Sequence, residues 1–268
     1  MSYFNNKVVV VTGGSDGIGK TLVEFLLDQG AKVATCGRNY DKLYSLQVKY
    51  AVAPLHAITC DVSNEQDCKR FIESTLKTFG KIDILINNAG ISMRALFRES
   101  NFDAIKRIMD VNYWGAVYCT KFALESIIEN KGSIAGISSL VGYRGIPGRT
   151  AYSASKHALQ GWLEGLRVEM MNHDVNVLWI APGFTTTNIR SNALDKDGQP
   201  IGESPMNESQ LMPVEECARI ILNAIAKRKR SLVLTFEGKR MVFLNRLMPG
   251  LADNLIRKYF FKEGKLVK

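Results

Sequence analysis

Short apolar runs recur along the chain, and the segments between them carry apolar residues at helical spacing. The first run, residues 7–12, is a lysine, four valines and a threonine, which predicts a buried parallel strand because it is β-branched and too short for a helix. Similar strands are predicted near residues 7–12, 32–37, 54–60, 82–86, 132–138, 175–180 and 231–235. This alternation predicts an α/β fold whose parallel sheet is covered by helices on both faces.

Length and composition narrow the class of protein. A chain of 268 residues is long enough for one large α/β domain with a buried core. No stretch has the roughly 18 uninterrupted apolar residues of a membrane span, and the early first strand leaves no room for a signal peptide. We therefore expect a cytoplasmic protein.

Cysteine and histidine usage agrees with this expectation. The five cysteines are odd in number and never spaced as C-x-x-C, which favours a reducing compartment without a disulfide framework or a zinc site. The three histidines are scattered along the chain, so no metal site is predicted. These residues are cysteines 36, 60, 68, 119 and 217 and histidines 56, 157 and 173.

The excess of positive over negative charge is confined to the C-terminal end of the chain. The net charge is +9. From Lys227 onward there are twelve Lys or Arg residues against three acidic residues, so this segment carries the whole excess and the preceding body is formally neutral.

Residues 237–268 are predicted to form a basic extension in which bulky apolar residues alternate with Lys and Arg. Three interpretations stay open. The extension packs on its own body, it is buried in a subunit interface, or it lies on an anionic bilayer as an interfacial helix. Motifs that read nucleic-acid grooves are absent, so we do not expect a nucleic-acid partner.

A glycine-rich loop follows the first predicted strand and opens the first predicted helix. Gly13 permits a tight turn, Gly17 lets a phosphate approach the backbone, and Gly19 lets the helix pack close to the sheet. The helix N-terminus then offers free N–H groups to a pyrophosphate. The loop alone is a weak signal, because an ordinary βα turn is also rich in glycine.

Tyr152 and Lys156 lie four residues apart, so they share one face of a helix. A nearby cation favours the phenolate, and we therefore expect this pair to act as an acid/base near neutral pH. The alternative is a lysine stem packed on a surface tyrosine. Ser139 lies thirteen residues before the tyrosine.

Together these motifs resemble the short-chain dehydrogenases/reductases, over roughly residues 5–236. The compact single-domain subgroup is indicated by the three-residue gap between Gly13 and Gly17. The resemblance implies a doubly wound Rossmann fold with strand order 3-2-1-4-5-6-7, a ligand crevice at the carboxyl ends of the strands, and a domain at 1–236. Within it, residues 188–212 are rich in Asn, Asp, Gly, Ser and Pro, which predicts a mobile substrate lid, although an ordinary long surface loop has the same composition. The motifs in order are Thr12-Gly13, Gly17-Ile18-Gly19, Asn87-Asn88-Ala89-Gly90, Asn112, Ser139, Tyr152 with Lys156, and Pro182-Gly183.

The resemblance also assigns residues to a nicotinamide dinucleotide. Asp61 would accept a hydrogen bond from the adenine amino group, although it could instead cap the following helix, for which Ser63 or Asn64 suits better. Asn87 is expected to tie adjacent strands together. The cofactor set is Gly13, Ser15, Asp16, Gly17, Ile18, Gly19, Arg38, Asn39, Asp61, Val62, Asn88, Ala89, Gly90, Tyr152, Lys156, Pro182, Gly183, Thr185 and Thr187.

The end of the second strand favours NADP(H) over NAD(H). NAD-selective proteins carry an acidic residue there, whereas this chain has Gly37 followed by Arg38, whose guanidinium suits a 2′-phosphate. Asp16 in the glycine loop argues mildly against this, while Ser15 could donate to the phosphate. Arg38 could also cap the next helix or face solvent.

The resemblance gives four residues catalytic roles in hydride transfer. Tyr152 would donate a proton to the carbonyl oxygen, Ser139 would hydrogen-bond the same oxygen, and Lys156 would lower the phenol's pKa and bind the nicotinamide ribose. Asn112 would kink its helix and hold a water against Lys156. Ser138 competes for the serine role, and Asn112 could be a buried structural amide.

We therefore predict an NADPH-dependent carbonyl reductase, or an alcohol dehydrogenase in the reverse direction. The alternatives are an oxidative sugar, polyol or hydroxysteroid-type dehydrogenase and a non-catalytic dinucleotide-binding protein. The substrate is expected to be apolar, and relatives suggest a homodimer or homotetramer. The predicted pocket comprises Ser92, Met93, Arg94, residues 140–147, Phe184 and the lid.

Overall fold

The computed structural model describes residues 2–204, 206 and 211–267. Its strands are β1 Val8–Thr12, β2 Lys32–Gly37, β3 Leu55–Thr59, β4 Ile84–Asn87, β5 Ser133–Ile137, β6 Asn176–Ala181, β7 Ser231–Val233, β8 Phe261–Lys262 and β9 Lys265–Leu266. Its helices are α1 Gly17–Asp28, α2 Tyr40–Lys49, α3 Glu65–Phe79, α4 Phe102–Met109, α5 Gly115–Glu129, α6 Thr150–Glu169, α7 Val214–Ala226, α8 Phe236–Leu247 and α9 Pro249–Phe260.

The main sheet has seven parallel strands in the order β3-β2-β1-β4-β5-β6-β7, which confirms the predicted fold class and strand order. β1 pairs with β2 on one side and β4 on the other, so Val10 lies between Ala34 and Leu85. The order reverses between β1 and β4. Loops at the carboxyl ends of these two strands diverge there and leave a crevice.

Two apolar layers cover the sheet, one on each face. Alternate residues of β1 enter opposite layers: Val10 packs with Phe71 and Leu159, whereas Val9 and Val11 pack with the residues of α1 and α7. A strand buried on both faces needs apolar residues at every position, which explains the four consecutive valines.

Four of the five cysteines, distant in sequence, lie in contact in one layer. Hydrogen bonds link Cys36 to Cys60, Cys60 to Cys68, and Cys68 to Cys119, and all five cysteines are free and buried. The hydrogen bond with Cys60 and burial both raise the pKa of Cys36. These thiols therefore behave as small core residues. Among the described residues no metal-ligating cluster of His, Cys, Asp and Glu occurs.

The basic extension folds back onto the body. α8 begins at Phe236, where the Thr235 side chain accepts a hydrogen bond from Gly238 N, and Pro249 occupies the first turn of α9. Arg144 donates to the side chains of Asn245 and Asp253, which fastens both helices to the loop after β5. Within the described ranges, no helix is both long and apolar enough to cross a bilayer.

Candidate active site

A cleft of about 1400 Å³ opens at the carboxyl ends of the strands. It is lined by every residue that the sequence assigned to the cofactor, together with Ser139, Tyr152 and Lys156. The carboxyl ends of β1 to β6 and the start of α6 therefore bring together residues as far apart in sequence as Gly13 and Thr187, which are 174 positions apart. We call the part around Gly13, Arg38, Asp61 and Gly90 the cofactor half.

The glycine loop is shaped by contacts that leave no room for side chains. Gly13 has φ +69°, and a Cβ on it would lie 2.9 Å from the backbone of Ala89. A Cβ on Gly19 would lie 2.2 Å from the carbonyl oxygen of Gly13. Gly17, with φ +50°, begins α1. These close approaches hold the loop against β4, so the N-terminus of α1 faces the cleft.

The negative charge of Asp16 is compensated by neighbouring groups within the cofactor half. Its carboxylate caps α1 by accepting from Gly17 N at 2.8 Å, and it also accepts from Lys42 and Asn188. Burial raises the pKa of Asp16, but these hydrogen bonds outweigh it and the net shift is downward. Lys42 lines the cleft and was missed in the sequence. Its charge removes the objection that Asp16 raised against a 2′-phosphate.

The end of β2 carries Gly37 next to the glycine loop. A Cβ at Gly37 would lie 2.7 Å from the Ser15 hydroxyl, so a larger residue there would require the Ser15 side chain to shift. Asn39 caps α2 by accepting from Lys42 N at 2.9 Å, so Arg38 is not the cap. Arg38 is exposed at the rim of the cleft, where its guanidinium is free to reach a ligand.

The end of β3 places Asp61 and Val62 in the cleft. The Asp61 carboxylate accepts from the backbone N–H and the hydroxyl of Ser63, while Asn64 caps α3 by accepting from Asp67 N. The helix-capping alternative for Asp61 is therefore wrong. Val62 also contacts Gly115, where an added Cβ would lie 2.9 Å from its side chain.

Asn88, rather than Asn87, joins neighbouring strands. Its amide donates to the carbonyl oxygens of Thr12 and Gly13, which ties the end of β4 to the end of β1. The expectation for Asn87 was wrong, because its side chain points to α5 and donates to Thr120 at 2.9 Å. The glycine loop is thus braced from β4 by Asn88.

Ser139, Tyr152 and Lys156 converge at the centre of the cleft. Tyr152 and Lys156 lie one turn apart on α6, and the Ser139 hydroxyl hydrogen-bonds the Tyr152 phenol. Ser138 takes another path: its hydroxyl accepts from Gln160 at 2.8 Å in the core. The geometry therefore places Ser139, not Ser138, beside the phenol.

The protonation of this group differs from the sequence-based expectation. Burial raises the pKa of Tyr152, and the Ser139 hydrogen bond and the nearby Arg149 guanidinium offset it only in part. Burial also lowers the pKa of Lys156 to about 8. Its Nζ donates to the carbonyl oxygen of Ile137 at 2.9 Å and lies 5.8 Å from the Tyr152 ring centroid. The expected acidification of the phenol by Lys156 is therefore wrong for the unliganded chain.

Asn112 lies behind the cleft in a π-helical turn, Asp110–Trp114, that joins α4 to α5. Its amide accepts from Ile91 N and donates to the Ile91 carbonyl and the Ser155 hydroxyl. A Cβ on Gly90 would lie 3.3 Å from both Asn112 Oδ1 and Lys156 Nζ. Asn112 thus fixes the loop that carries Gly90 and Ile91, and its role in holding a water stays a prediction.

The loop after β6 closes the far wall of the cleft. Pro182, Gly183, Thr185 and Thr187 all line it. The chain after them, described for residues 188–204, 206 and 211–212, is tied to the body where Leu194 exchanges backbone hydrogen bonds with Ser92 and Arg94. Its predicted mobility as a lid stays a prediction.

The substrate side departs from the predicted lining. Met93 is fully buried in a small core cluster, and the Tyr143 hydroxyl accepts from Trp179 at 2.8 Å, so neither faces the cleft. Instead, the extension supplies apolar walls. We call this part the substrate half; its lining includes Ser92, Ile146, Arg149, Leu194, Met241, Leu255, Ile256, Tyr259 and Phe260.

Arg149 is a second cleft residue, besides Lys42, that was not predicted from the sequence. It lies three residues before Tyr152 and lines the cleft at the start of α6. The i, i+3 spacing was a usable signal, because residues at that spacing share a helix face. The walls formed by α8 and α9 had no such local signal.

The strand order, the braced glycine loop and the group formed by Ser139 with the buried Tyr152 and Lys156 define a dinucleotide-binding oxidoreductase. The family model for the short chain dehydrogenases matches residues 7–198. The chain belongs to the short-chain dehydrogenase/reductase family.

Known relatives agree. A mouse protein, dehydrogenase/reductase SDR family member 7B, is 36% identical over 98% of this chain and 84% of the mouse protein. An uncharacterized oxidoreductase of Bacillus subtilis is 32% identical over 96% of this chain and 73% of its own length. Among solved structures, a short-chain dehydrogenase/reductase from Burkholderia phymatum in complex with NAD has the same fold, with TM-score 0.83, 22% identity, and coverage of 94% and 96%.

Proposed function

We propose that this protein is an NADPH-dependent carbonyl reductase. The observation that carries the proposal is the convergence of Ser139, Tyr152 and Lys156 at the point where the cofactor half meets the substrate half. When bound, a reduced nicotinamide would supply the hydride for the carbonyl carbon. The residues of the chain would bind the cofactor, orient the substrate and protonate the carbonyl oxygen.

Tyr152 is placed to donate its phenolic proton to the carbonyl oxygen as charge develops there. Ser139 would donate to the same oxygen, so the two hydroxyls form an electrophilic site. Because burial raises the pKa of Tyr152, the phenol is protonated at neutral pH, which suits an acid in the reductive direction. Lys156, beside Gly90, is in position to bind the nicotinamide ribose and to return a proton to the phenolate.

Selectivity for NADP(H) is supported by the rim of the cofactor half. Arg38 and Lys42 both line it, and Gly37 leaves the end of β2 without a carboxylate. A guanidinium and an ammonium are the groups that a 2′-phosphate needs. We therefore propose NADP(H) as the cofactor.

The test is an NADPH-oxidation screen over ketosteroids, quinones, medium-chain ketones, 3-oxoacyl thioesters and keto-sugars. The wild type should reduce at least one apolar carbonyl class, and Tyr152→Phe should lose about 10²–10⁴-fold in kcat. NADPH binding, measured by fluorescence titration, should stay close to wild type. Undiminished turnover by Tyr152→Phe would contradict the proposal.

The oxidative sugar, polyol or hydroxysteroid-type dehydrogenase is the competing function. Its sugar and polyol forms fit poorly, because Ile146, Met241, Leu255 and Phe260 give the substrate half an apolar lining. Retention of both Tyr152 and Lys156 argues against a non-catalytic protein. An oxidative enzyme would turn over alcohols with NADP⁺ faster than the matching ketones with NADPH at pH 7.

A second proposed property is peripheral attachment to an anionic membrane through α8 and α9. These helices expose large apolar side chains, among them Phe243 (67% exposed) and Leu247 (62% exposed), and they also expose Arg246, Arg257 and Lys258. Their other faces line the substrate half. Such a surface suits the boundary between headgroups and acyl chains.

Co-sedimentation with vesicles tests this property. Because α8 and α9 wall the cleft, the variant should be Phe243→Ser/Leu247→Ser rather than a truncation. We expect the wild type to pellet with phosphatidylserine vesicles and less with phosphatidylcholine, and the variant to stay in the supernatant. Equal behaviour of the two proteins would refute membrane contact.

We further propose a cytoplasmic location and a homodimer or homotetramer. Five free, buried thiols suit a reducing compartment. Light scattering coupled to size exclusion would give the oligomeric state; a monomer at micromolar concentration would contradict the proposed assembly.

A further inference from the structure

Arg149 is a buried cation that has no acidic partner among the described residues. It is 8% exposed, lies at the N-terminal end of α6 and lines the cleft. Its Nε is buried without a hydrogen-bond partner, and none of the ion pairs between described residues involves it. Leaving a charged group buried without a partner is costly, so such a group in a cleft indicates a missing ligand.

The surroundings of Arg149 are positive. Burial lowers the pKa of Arg149, and the nearby guanidiniums of Arg190 and Arg94 lower it further. Arg190 is held on the cleft wall by hydrogen bonds to the carbonyl oxygens of Thr185 and Thr187. Arg94 belongs to a loop whose next residue, Ala95, donates to Gly148 O. Arg149 thus lies near two further cations, Arg190 on the cleft wall and Arg94, which was predicted to line the pocket but does not.

None of the described acids that line the cleft forms an ion pair with Arg149. Asp16 is paired with Lys42 in the glycine loop, and Asp61 accepts from Ser63 at the end of β3. Glu237 is exposed on α8. Among the described titratable groups that act on the pKa of Arg149, Tyr152 alone favours the protonated form.

We propose that Arg149 binds an anionic group, a carboxylate or a phosphate monoester, on the carbonyl compound that this enzyme reduces. The inference rests on the proposed reductase function and names its substrate class. Arg149 and Tyr152 are three residues apart, and residues at that spacing have Cβ atoms about 5–6 Å apart. The anionic group is therefore a few bonds from the carbonyl, and the remainder of the substrate occupies the apolar walls formed by Met241 and Leu255.

Matched substrates test the inference. The pairs are benzoylformate with its methyl ester and 4-oxo-4-phenylbutanoate with its methyl ester, assayed by NADPH oxidation. The variants are Arg149→Gln, Arg149→Lys and, as a matched loss of charge, Arg107→Gln, an exposed arginine that lines the same cleft.

We expect the wild type to prefer the acid of at least one pair, and Arg149→Gln to lower the acid-to-ester ratio of kcat/KM by about 10- to 100-fold, through KM. Arg149→Lys should restore part of the ratio, and Arg107→Gln should leave it near the wild-type value. A wild type without preference for either acid overturns the inference. The inference is also overturned if Arg149→Gln lowers kcat/KM equally for acid and ester, which would show that Arg149 acts only on Tyr152.

A binding measurement separates this inference from the reductase proposal. Benzoate and inorganic phosphate, with benzamide as the neutral control, are added to the protein with NADPH, and the melting temperature is followed. An increase with either anion in the wild type that is absent in Arg149→Gln supports the anion site even if no ketone is reduced. No anion-dependent increase, or an equal one in the variant, overturns it even if neutral ketones are reduced.

Discussion

The two halves of the cleft differ in how far their polar groups are satisfied. In the cofactor half, Asp16 has Lys42, Asp61 has Ser63, and the Asn88 amide has Thr12. In the substrate half, Ser92 Oγ and Arg149 Nε are buried without hydrogen-bond partners within the described residues. The cofactor half is thus preorganised, whereas the substrate half carries unmet interactions that its ligand would complete.

The largest expected effect lies at the junction of the halves. Ser139→Ala removes a donor to the developing oxyanion and should lower kcat by about 10²–10³-fold. Ser138→Ala is the matched control, because that hydroxyl is bonded to Gln160 in the core. Steady-state kinetics of both variants checks this prediction. Equal losses of kcat in the two variants would show that Ser139 contributes only through the local structure.

Lys156 should reveal a stability cost of the preorganised site. Its pKa is lowered to about 8, so the unfolded chain holds the proton more tightly, and the native state is destabilised below pH 8. In the absence of cofactor, Lys156→Met should therefore raise the free energy of unfolding by about 3 kcal/mol at pH 6–7. Because the wild type gains stability as the pH rises from about 8 to 10.5, the extra stability of Lys156→Met over the wild type should decrease across that pH range.

Urea unfolding of the two proteins at several pH values measures this difference. If Lys156→Met were less stable than the wild type throughout, the lysine would stabilise the fold through Ile137 O instead. Such a result would place Lys156 among the satisfied groups and weaken the contrast between the halves.

Cofactor choice tests the rim of the cofactor half. Arg38→Asp replaces a 2′-phosphate partner by a repelling charge, so kcat/KM for NADPH should fall by about 10- to 100-fold while that for NADH falls less. The ratio of the two values is the measurement. A wild-type preference for NADH would refute the assignment of NADP(H).

The smallest expected effect is on folding. Asn39→Ala removes the cap of α2 and should cost about 1 kcal/mol of stability. The loss should be visible by thermal unfolding, and it should be recovered largely by Asn39→Asp or Asn39→Ser. An unchanged melting temperature in the alanine variant would mean that solvent satisfies the end of the helix.

The cofactor half was predictable because its features are local in sequence. Glycines that follow a strand and open a helix are constrained by the turn itself. The sequence Gly37-Arg38 shows directly that the end of β2 has no carboxylate. Lys42 escaped the prediction because its partner, Asp16, lies on another element.

The substrate half was predictable only in its apolar character. α8 and α9 reach it through contacts more than 100 residues apart, such as Arg144 with Asn245 and Asp253. The pKa of Tyr152 was misjudged for a related reason, since the degree of burial decides it and spacing along a helix does not. The same limit concealed the contacts among the cysteines.

The most direct test is a crystal structure with NADP(H) and an unreactive ketone analogue. The account predicts the ketone oxygen about 2.6–3.2 Å from both Tyr152 Oη and Ser139 Oγ, with the nicotinamide ribose at Lys156 Nζ. A ketone bound away from the phenol, or a dinucleotide elsewhere than against the glycine loop, would contradict it.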